Sequence, residues 1–481
     1  MQQTVSVDAT DRVEARAWHT LFITSVSIFL VAMDVTIVSV ALPGIARSFH
    51  ESSSTLSWVF TAYNITFAGL LLLAGKLGDR WGRKPAFLWG LGLFAVASLL
   101  AAIAPNVDVL IGARVLQAVG SALIYPASLA LLLPEFPLSR RSMAIGVWGG
   151  IAGMGGALAP TLGALLVDWF GWRAVFFINL PFVVTAAAFG LSILRDSKGD
   201  RADERFDPVA VPLAAVAIGV LVLGVVQGQS WGWGSGRTIA CFAVTAILLP
   251  IFVVRSARHP APLLDLDLFR LPSFTVGNLA QALYVGSCFG WLVLMPSFFV
   301  NVWGWGPLAA GFGLAPAATI GAILSPFAGR LADRVGHRWL VAGGMLASSV
   351  GTAWWALSVG PRADYPRDIL PGMILTGLGI TSGFATLTGA LMSRVPQRFY
   401  SMAGASRSTI FQLASAIGIA VAIAVVDSAS GIGPRPFREV WWIASACAIA
   451  AATIMLVAFP RGRAVRTADG PPAEVTAGSA H

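Results

Sequence analysis

Two charges lie where charge is expensive. Asp34 sits in the stretch Met33-Asp-Val-Thr-Ile-Val-Ser-Val-Ala-Leu-Pro43, and no other Asp, Glu, Lys or Arg occurs between Arg16 and Arg47. Arg114 stands equally isolated between Asp108 and Glu135. A charged side chain inside lipid costs roughly 3 kcal/mol or more, so it faces a cavity, pairs or titrates. Burial disfavours an ionised carboxylate, and a nearby guanidinium favours it. A group held between those influences can take up and release a proton. Asp34 is therefore the candidate proton carrier and Arg114 its candidate partner. At about 1.5 Å per helical residue, Asp34 lies about 14 Å from the Pro43 end of its helix and Arg114 about 9 Å from Asp108. If the two helices run in opposite directions those ends share one face, and the depths permit contact. Gln117 follows Arg114 by one turn and could extend a polar path along a cavity.

A second set of residues occurs twice. Gly75-Lys-Leu-Gly-Asp-Arg-Trp-Gly-Arg-Lys84 and Gly329-Arg-Leu-Ala-Asp-Arg-Val-Gly-His-Arg338 share five of ten positions and exchange Lys with Arg at two more. Gly75, Asp79, Arg80 and Gly82 thus have counterparts in Gly329, Asp333, Arg334 and Gly336, while His337 takes the place of Arg83. Glycine permits a tight turn. An aspartate can accept hydrogen bonds at a helix N-terminus or pair with a neighbouring Arg. That is chemistry of contacts made and broken, not of covalent bonds. Ser-His-Asp sets, metal-ligand spacings and a Gly-Lys-Ser/Thr phosphate loop are not apparent. Cys241, Cys288 and Cys447 are odd in number and sit in apolar segments, which gives no disulfide framework. The reading excludes an enzyme, a metal, a cofactor and ATP-driven work.

The elements that position these residues must be membrane helices. Of 481 residues, 56% are hydrophobic and 11% charged, with mean hydropathy +0.76. Soluble chains carry about 25% charged residues. Fourteen apolar segments can be read, at 18–43, 55–74, 86–104, 108–133, 142–167, 174–194, 209–227, 238–254, 273–299, 308–327, 339–358, 367–391, 403–425 and 438–459. Their lengths suit helices spanning about 20 residues of bilayer, and they lack the alternation of barrel strands. Placing the N-terminus inside puts most basic residues on inner connections, so both ends are expected inside. The net charge of +9 then records topology rather than nucleic-acid binding. The repeat divides the chain into an inner tail 1–17, a six-helix half 18–194, a linker 195–272 with inserted helices 209–227 and 238–254, a second half 273–459 and an inner tail 460–481. The expected fold is an all-α polytopic membrane protein of two pseudo-symmetric six-helix bundles plus two central helices, with a path between the halves.

These motifs resemble the major facilitator superfamily, whose Gly-x-Leu-x-Asp-Arg-x-Gly-Arg-Lys loop follows the second helix. Within it, Asp34-Val-Thr-Ile-Val-Ser-Val-Ala-Leu-Pro43 and Trp172-Arg-Ala-Val-Phe-Phe-Ile-Asn-Leu-Pro181 are similar to the fourteen-helix drug:proton antiporters. Lysine occurs only at 76, 84 and 198, a usage that suits a GC-rich genome and the actinobacterial antibiotic-resistance type. The resemblance implies a latch at both copies of the repeated motif and proton coupling at Asp34 and Arg114. It also implies an exporter motif in helix 5 at Gly153, Gly156, Pro160 and Gly163, degraded by Ala159. Asn278 and Gln281 could line the cavity. Arg407 is expected to snorkel, and Asp427 to be solvated near the outer end. The implied activity is proton-driven export, across the cell membrane, of an apolar, cationic or zwitterionic antibiotic or drug by a monomer in the lipid bilayer. Import of a metabolite by proton symport remains an alternative, and a receptor or scaffold without transport is the alternative of another class.

Overall fold

The computed structural model describes residues 13–460 except 52, 138–139, 198–206, 261, 361, 397–398 and 428–432. Most of the two expected tails therefore lies outside the described residues. Among those described, helices and connections make up the whole chain. We number the rods α1 (Ala15–Phe49), α2 (Ser53–Trp81), α3 (Arg83–Ala102), α4 (Val107–Leu132), α5 (Arg141–Phe170) and α6 (Ala174–Ile193). Then come α7 (Ala210–Trp231), α8 (Gly236–Arg258), α9 (Pro272–Asn301), α10 (Ala315–Val335), α11 (His337–Ser358), α12 (Tyr365–Met392), α13 (Tyr400–Asp427) and α14 (Pro434–Ala458).

Each apolar segment of the sequence forms a helix, because lipid leaves the backbone no partner but itself. Twelve of the helices found among the described residues are long and apolar enough to cross a membrane. The expected count of fourteen spans is reduced on that criterion. Among the described residues, the apolar helical stretches Met143–Gly156, within α5, and Ala309–Ser325, which runs into α10 from before it, fall short of that criterion. Helix ends follow local chemistry. Asn106 caps α4 by accepting from the Val109 N–H at 2.9 Å, and Ser235 caps α8 by accepting from the Thr238 N–H at 3.3 Å. Pro272 and Pro434 open α9 and α14, where a missing N–H costs nothing. One π-helical stretch, Tyr365–Ile369, opens α12 and another, Thr381–Ala385, interrupts it.

The repeated motif is not the loop the sequence suggested. Helix α2 continues through Asp79 to Trp81, Gly82 alone turns the chain with φ 111°, and α3 begins at Arg83. The second copy does the same, with α10 ending at Val335, Gly336 at φ 98° and α11 starting at His337. Lys, Asp and Arg are tolerated in a helix, so only the residue that must take a positive φ breaks it.

Packing repeats along with the motif. Helix α1 packs on α5 and α6, α2 on α4, and α3 on α4 and α6. Eight numbers later, α9 packs on α13 and α14, α10 on α12, and α11 on α12 and α14. Two seams that join the sets are counterparts as well, α2 against α13 and α5 against α10. Helices α7 and α8 pair with each other, and α7 lies on α2 and α13. Asp207, just before α7, accepts hydrogen bonds from the Arg255 guanidinium of α8 and from the backbone N–H groups of Val209 and Ala210. Chiefly the Arg255 contact holds its carboxyl below the ordinary range.

Candidate functional site

Asp34 and Arg114 meet. Arg114 Nη1 donates to Asp34 Oδ2 at 2.5 Å, and both side chains are wholly buried. The other carboxylate oxygen accepts from Gln117 Nε2 at 3.1 Å and Asn179 Nδ2 at 2.9 Å. Arg114 also donates to Gln117 Oε1 at 2.8 Å and to the Val59 carbonyl at 3.3 Å, and its guanidinium carbon lies 4.3 Å from the centre of the Tyr63 ring. Ser98 accepts from Gln117 and Asn179, and the Tyr63 hydroxyl donates to Ser121 at 2.8 Å. Five helices, α1, α2, α3, α4 and α6, thus close around one carboxylate. Three donors aimed at it match its ionised form; protonation would remove the charge that Arg114 answers.

Gln117 belongs to this cluster and is wholly buried, rather than facing a cavity. Asn179 was not singled out by the sequence reading, although it stands in the Trp172–Pro181 stretch. Its signal was an amide in an otherwise apolar run. Tyr63, Ser98 and Ser121 gave no comparable signal, since hydroxyls are common in membrane helices.

The motif sits where the two sets of helices touch. A Cβ added to Gly75 would lie 2.6 Å from the Ala405 Cβ and 3.0 Å from the Ser401 carbonyl oxygen of α13. At the counterpart seam, a Cβ on Gly146 of α5 would lie 2.8 Å from the Ser325 carbonyl and 3.6 Å from the Gly329 Cα. The first glycine of each copy is therefore a point of close helix approach. Arg83 is buried, pairs with Asp79 at 3.5 Å and donates through Nε to the Ser401 hydroxyl at 3.3 Å. Ser401 also bonds Asp79. Arg141 Nη1 reaches the Tyr400 hydroxyl at 2.5 Å across the same gap. Gly82 backs onto Asp196, which accepts from the Lys84 N–H at 3.3 Å. In the second copy Arg334 is exposed, and the Asp333 side chain lies outside the described residues.

The Major Facilitator Superfamily profile matches residues 24–321 and 278–480. This chain belongs to the major facilitator superfamily. It is 34% identical over 407 residues to the tetracenomycin C resistance and export protein of Streptomyces glaucescens, covering 84% of this chain and 75% of the relative. It is 30% identical over 432 residues to the methylenomycin A resistance protein of Streptomyces coelicolor, covering 89% and 90%. The fold matches the proton:xylose symporter XylE bound to 6-bromo-6-deoxy-D-glucose, with a TM-score of 0.68 at 15% identity over 94% of this chain and 98% of that one. Family and fold make the chain a multi-pass plasma-membrane transporter and not an enzyme.

Other residues expected of a superfamily exporter are placed unevenly. In α5, Gly163 lets the helix approach Ile37, and so does Gly155 opposite the Phe29 carbonyl, whereas Gly153 and Gly156 face open space. Pro160 is inside α5, but its side chain lies outside the described residues. Asn278 is buried and donates to its own helix at the Phe274 carbonyl. Arg407 does not snorkel. Helix α13 begins at Tyr400, three residues before the expected start, and packs there on α2 and α4, so Arg407 is 3% exposed. Gln281 bonds it rather than facing open space. Asp427 ends α13 and is exposed, as expected.

Proposed function

We propose that this transporter exports antibiotics or hydrophobic drugs in exchange for protons. The observation that carries the reading is Asp34, a buried carboxylate with one guanidinium and two amides directed at it inside a transporter fold. The name of the Streptomyces glaucescens relative supports export of an antibiotic, and that of the Streptomyces coelicolor relative supports antibiotic resistance. In the proposed cycle, a proton from outside neutralises Asp34 and releases Arg114 from its ion pair. The cluster loosens, the motif end opens and drug enters from the cytoplasm. Deprotonation toward the cytoplasm restores the pair and closes that end. Gradient and drug act by binding the two states unequally. Asp79, Arg83 and Ser401, with the seams at Gly75 and Gly146, would be the latch of the closed state.

We assign fourteen spans. Helix α5 has 30 residues and α10 has 21, long enough to cross at about 1.5 Å per residue. The two halves are 18–194 and 273–459, with α7 and α8 as the insert, and the unit is a monomer with both ends inside. Cysteines placed at Asp267 and Gly234 test the topology. A membrane-impermeant maleimide on intact cells should label Gly234→Cys and spare Asp267→Cys. Labelling of Asp267→Cys alone would reverse the orientation.

Coupling is tested in proteoliposomes carrying a lumenal pH dye and no preset gradient. Adding tetracenomycin C or methylenomycin A outside should draw protons out, so the lumen turns alkaline. Symport would acidify it. A dye signal that stays flat while compound enters would mean transport without proton coupling.

A further inference from the structure

A third buried arginine, besides Arg83 and Arg114, is held differently. Arg407 lies in α13, two turns from its start, and is 3% exposed. Its Nη1 donates to Gln281 Oε1 at 3.2 Å and its Nη2 to the Tyr125 hydroxyl at 3.4 Å. The Gln281 amide is committed in turn to the Arg407 carbonyl at 3.1 Å. Nε is buried with no partner. No carboxylate pairs with Arg407 among the described residues. Arg114 makes the contrast, holding Asp34 at 2.5 Å.

A guanidinium stays charged at any physiological pH and carries five donors. Two neutral acceptors at 3.2 and 3.4 Å answer only part of that charge. A buried cation of this kind is costly unless something anionic joins it. Its position joins the two halves, for Tyr125 belongs to α4 while Arg407 and Gln281 belong to α13 and α9. Along α4, Tyr125 is eleven residues beyond Arg114, so this site lies about 16 Å from the Asp34 cluster. Two pairs of aromatic rings adjoin its helix and its partner Tyr125. Tyr125 meets Trp148 edge-on at 5.7 Å, and Phe411, one turn along from Arg407, meets Phe384 at 5.9 Å. Tyr125, Phe384 and Phe411 are only half-buried, so the rings are not sealed into the core.

We propose that Arg407 binds an acidic group of the transported compound, and that the substrates are amphipathic aromatic acids, carrying a carboxylate, sulfonate or acidic phenol, rather than cations. The anion would supply the missing counter-charge, and a planar or branched oxyanion suits the guanidinium fork. The adjoining rings would take the aromatic body. The inference rests on the exporter reading and narrows its substrate class; it departs from the apolar drug, with cationic or zwitterionic charge allowed, that the sequence suggested.

Three probes on the full-length protein in nanodiscs decide it, with empty nanodiscs subtracted. 8-Anilinonaphthalene-1-sulfonate and N-phenyl-1-naphthylamine share one aromatic skeleton with and without the anion, and ethidium is a cationic control. The wild type should bind the sulfonate about tenfold or more tighter than the neutral analogue, as a charged hydrogen bond is worth, and ethidium weakest. In Arg407→Gln that ratio should fall to about one. Arg407→Lys should keep part of it, since charge survives without the fork. A wild type that binds the neutral probe or ethidium as well as the sulfonate overturns the inference and leaves the exporter reading intact. So does an Arg407→Gln protein that keeps the wild-type ratio, which would make Arg407 a structural tie between halves. If Arg407→Gln does not fold, the wild-type ratio alone decides. Binding of none of the three, with no compound-driven proton movement, removes both readings.

Discussion

Asp34→Asn abolishes compound-driven proton movement in proteoliposomes. The amide keeps the shape of the carboxylate but cannot carry a proton at this position. It also sits badly in the cluster. Oδ1 of Asp34 accepts from Gln117 and Asn179, and Oδ2 from Arg114. An asparagine offers one oxygen and one NH2, so at least one of those donors would face another donor. Arg114 would then be a buried cation with its counter-ion gone. Removing one partner of a buried pair costs about 3–5 kcal/mol, so loss of flux in the single variant could reflect misfolding. The double variant Asp34→Asn, Arg114→Gln removes both charges and should recover much of that stability. It should stay folded, as judged by thermal unfolding in detergent, and still move no protons. Asp34→Glu should retain part of the flux because its longer arm still titrates. Wild-type flux in either variant lacking Asp34 would place the coupling carboxylate elsewhere, with Asp427 the next to test.

How far the sequence could be read depended on how loudly each residue contradicts its surroundings. Asp34 and Arg114 are lone charges in apolar runs, and such charges in lipid have few places to go. Their depths along two antiparallel helices were enough to bring them together. Gln117 was read as extending the polar path of Arg114, which it bonds, but also as lining a cavity, since spacing gives a face of a helix and not what that face meets. Asn179 lay one whole half-bundle away in sequence, 145 residues from Asp34. Only folding brings it close. Arg407 was misplaced by a boundary error of three residues, which is one turn of helix and the difference between an interfacial and a covered side chain. The motif was legible as a repeat, but not as two helices meeting at one glycine. Nor could the sequence show that the first glycine of each copy marks a seam, because that property belongs to pairs of helices.

That seam allows a test in which the repeat supplies its own control. Gly75 and Gly78 lie one turn apart on α2. A Cβ on Gly75 would fall 2.6 Å from the Ala405 Cβ, inside contact distance, whereas one on Gly78 would have its nearest neighbours at 3.8 and 3.9 Å. The second copy agrees, with Gly329 matching Gly75 and Ala332 standing where Gly78 does. Gly75→Ala should therefore push α2 and α13 apart, while Gly78→Ala should be tolerated. Forcing a methyl into a packed contact costs about 1–3 kcal/mol. The cost applies only while the seam is closed, since an open motif end separates the two helices. The equilibrium should shift toward the open state by about fivefold to a hundredfold, at 1.4 kcal/mol per factor of ten. Spin labels at the exposed positions Trp81 and Trp339, on the motif ends of opposite halves, should report a longer distance in Gly75→Ala and an unchanged one in Gly78→Ala. Export should fall in the first variant and persist in the second, because a transporter held open on one side cannot complete its cycle. Gly146→Ala, which meets the Ser325 carbonyl at 2.8 Å at the counterpart seam, should repeat the Gly75→Ala result. If Gly75→Ala keeps both the wild-type distance and wild-type export, the seam is ordinary helix packing and the latch must be sought in the polar contacts of Asp79, Arg83 and Ser401 alone.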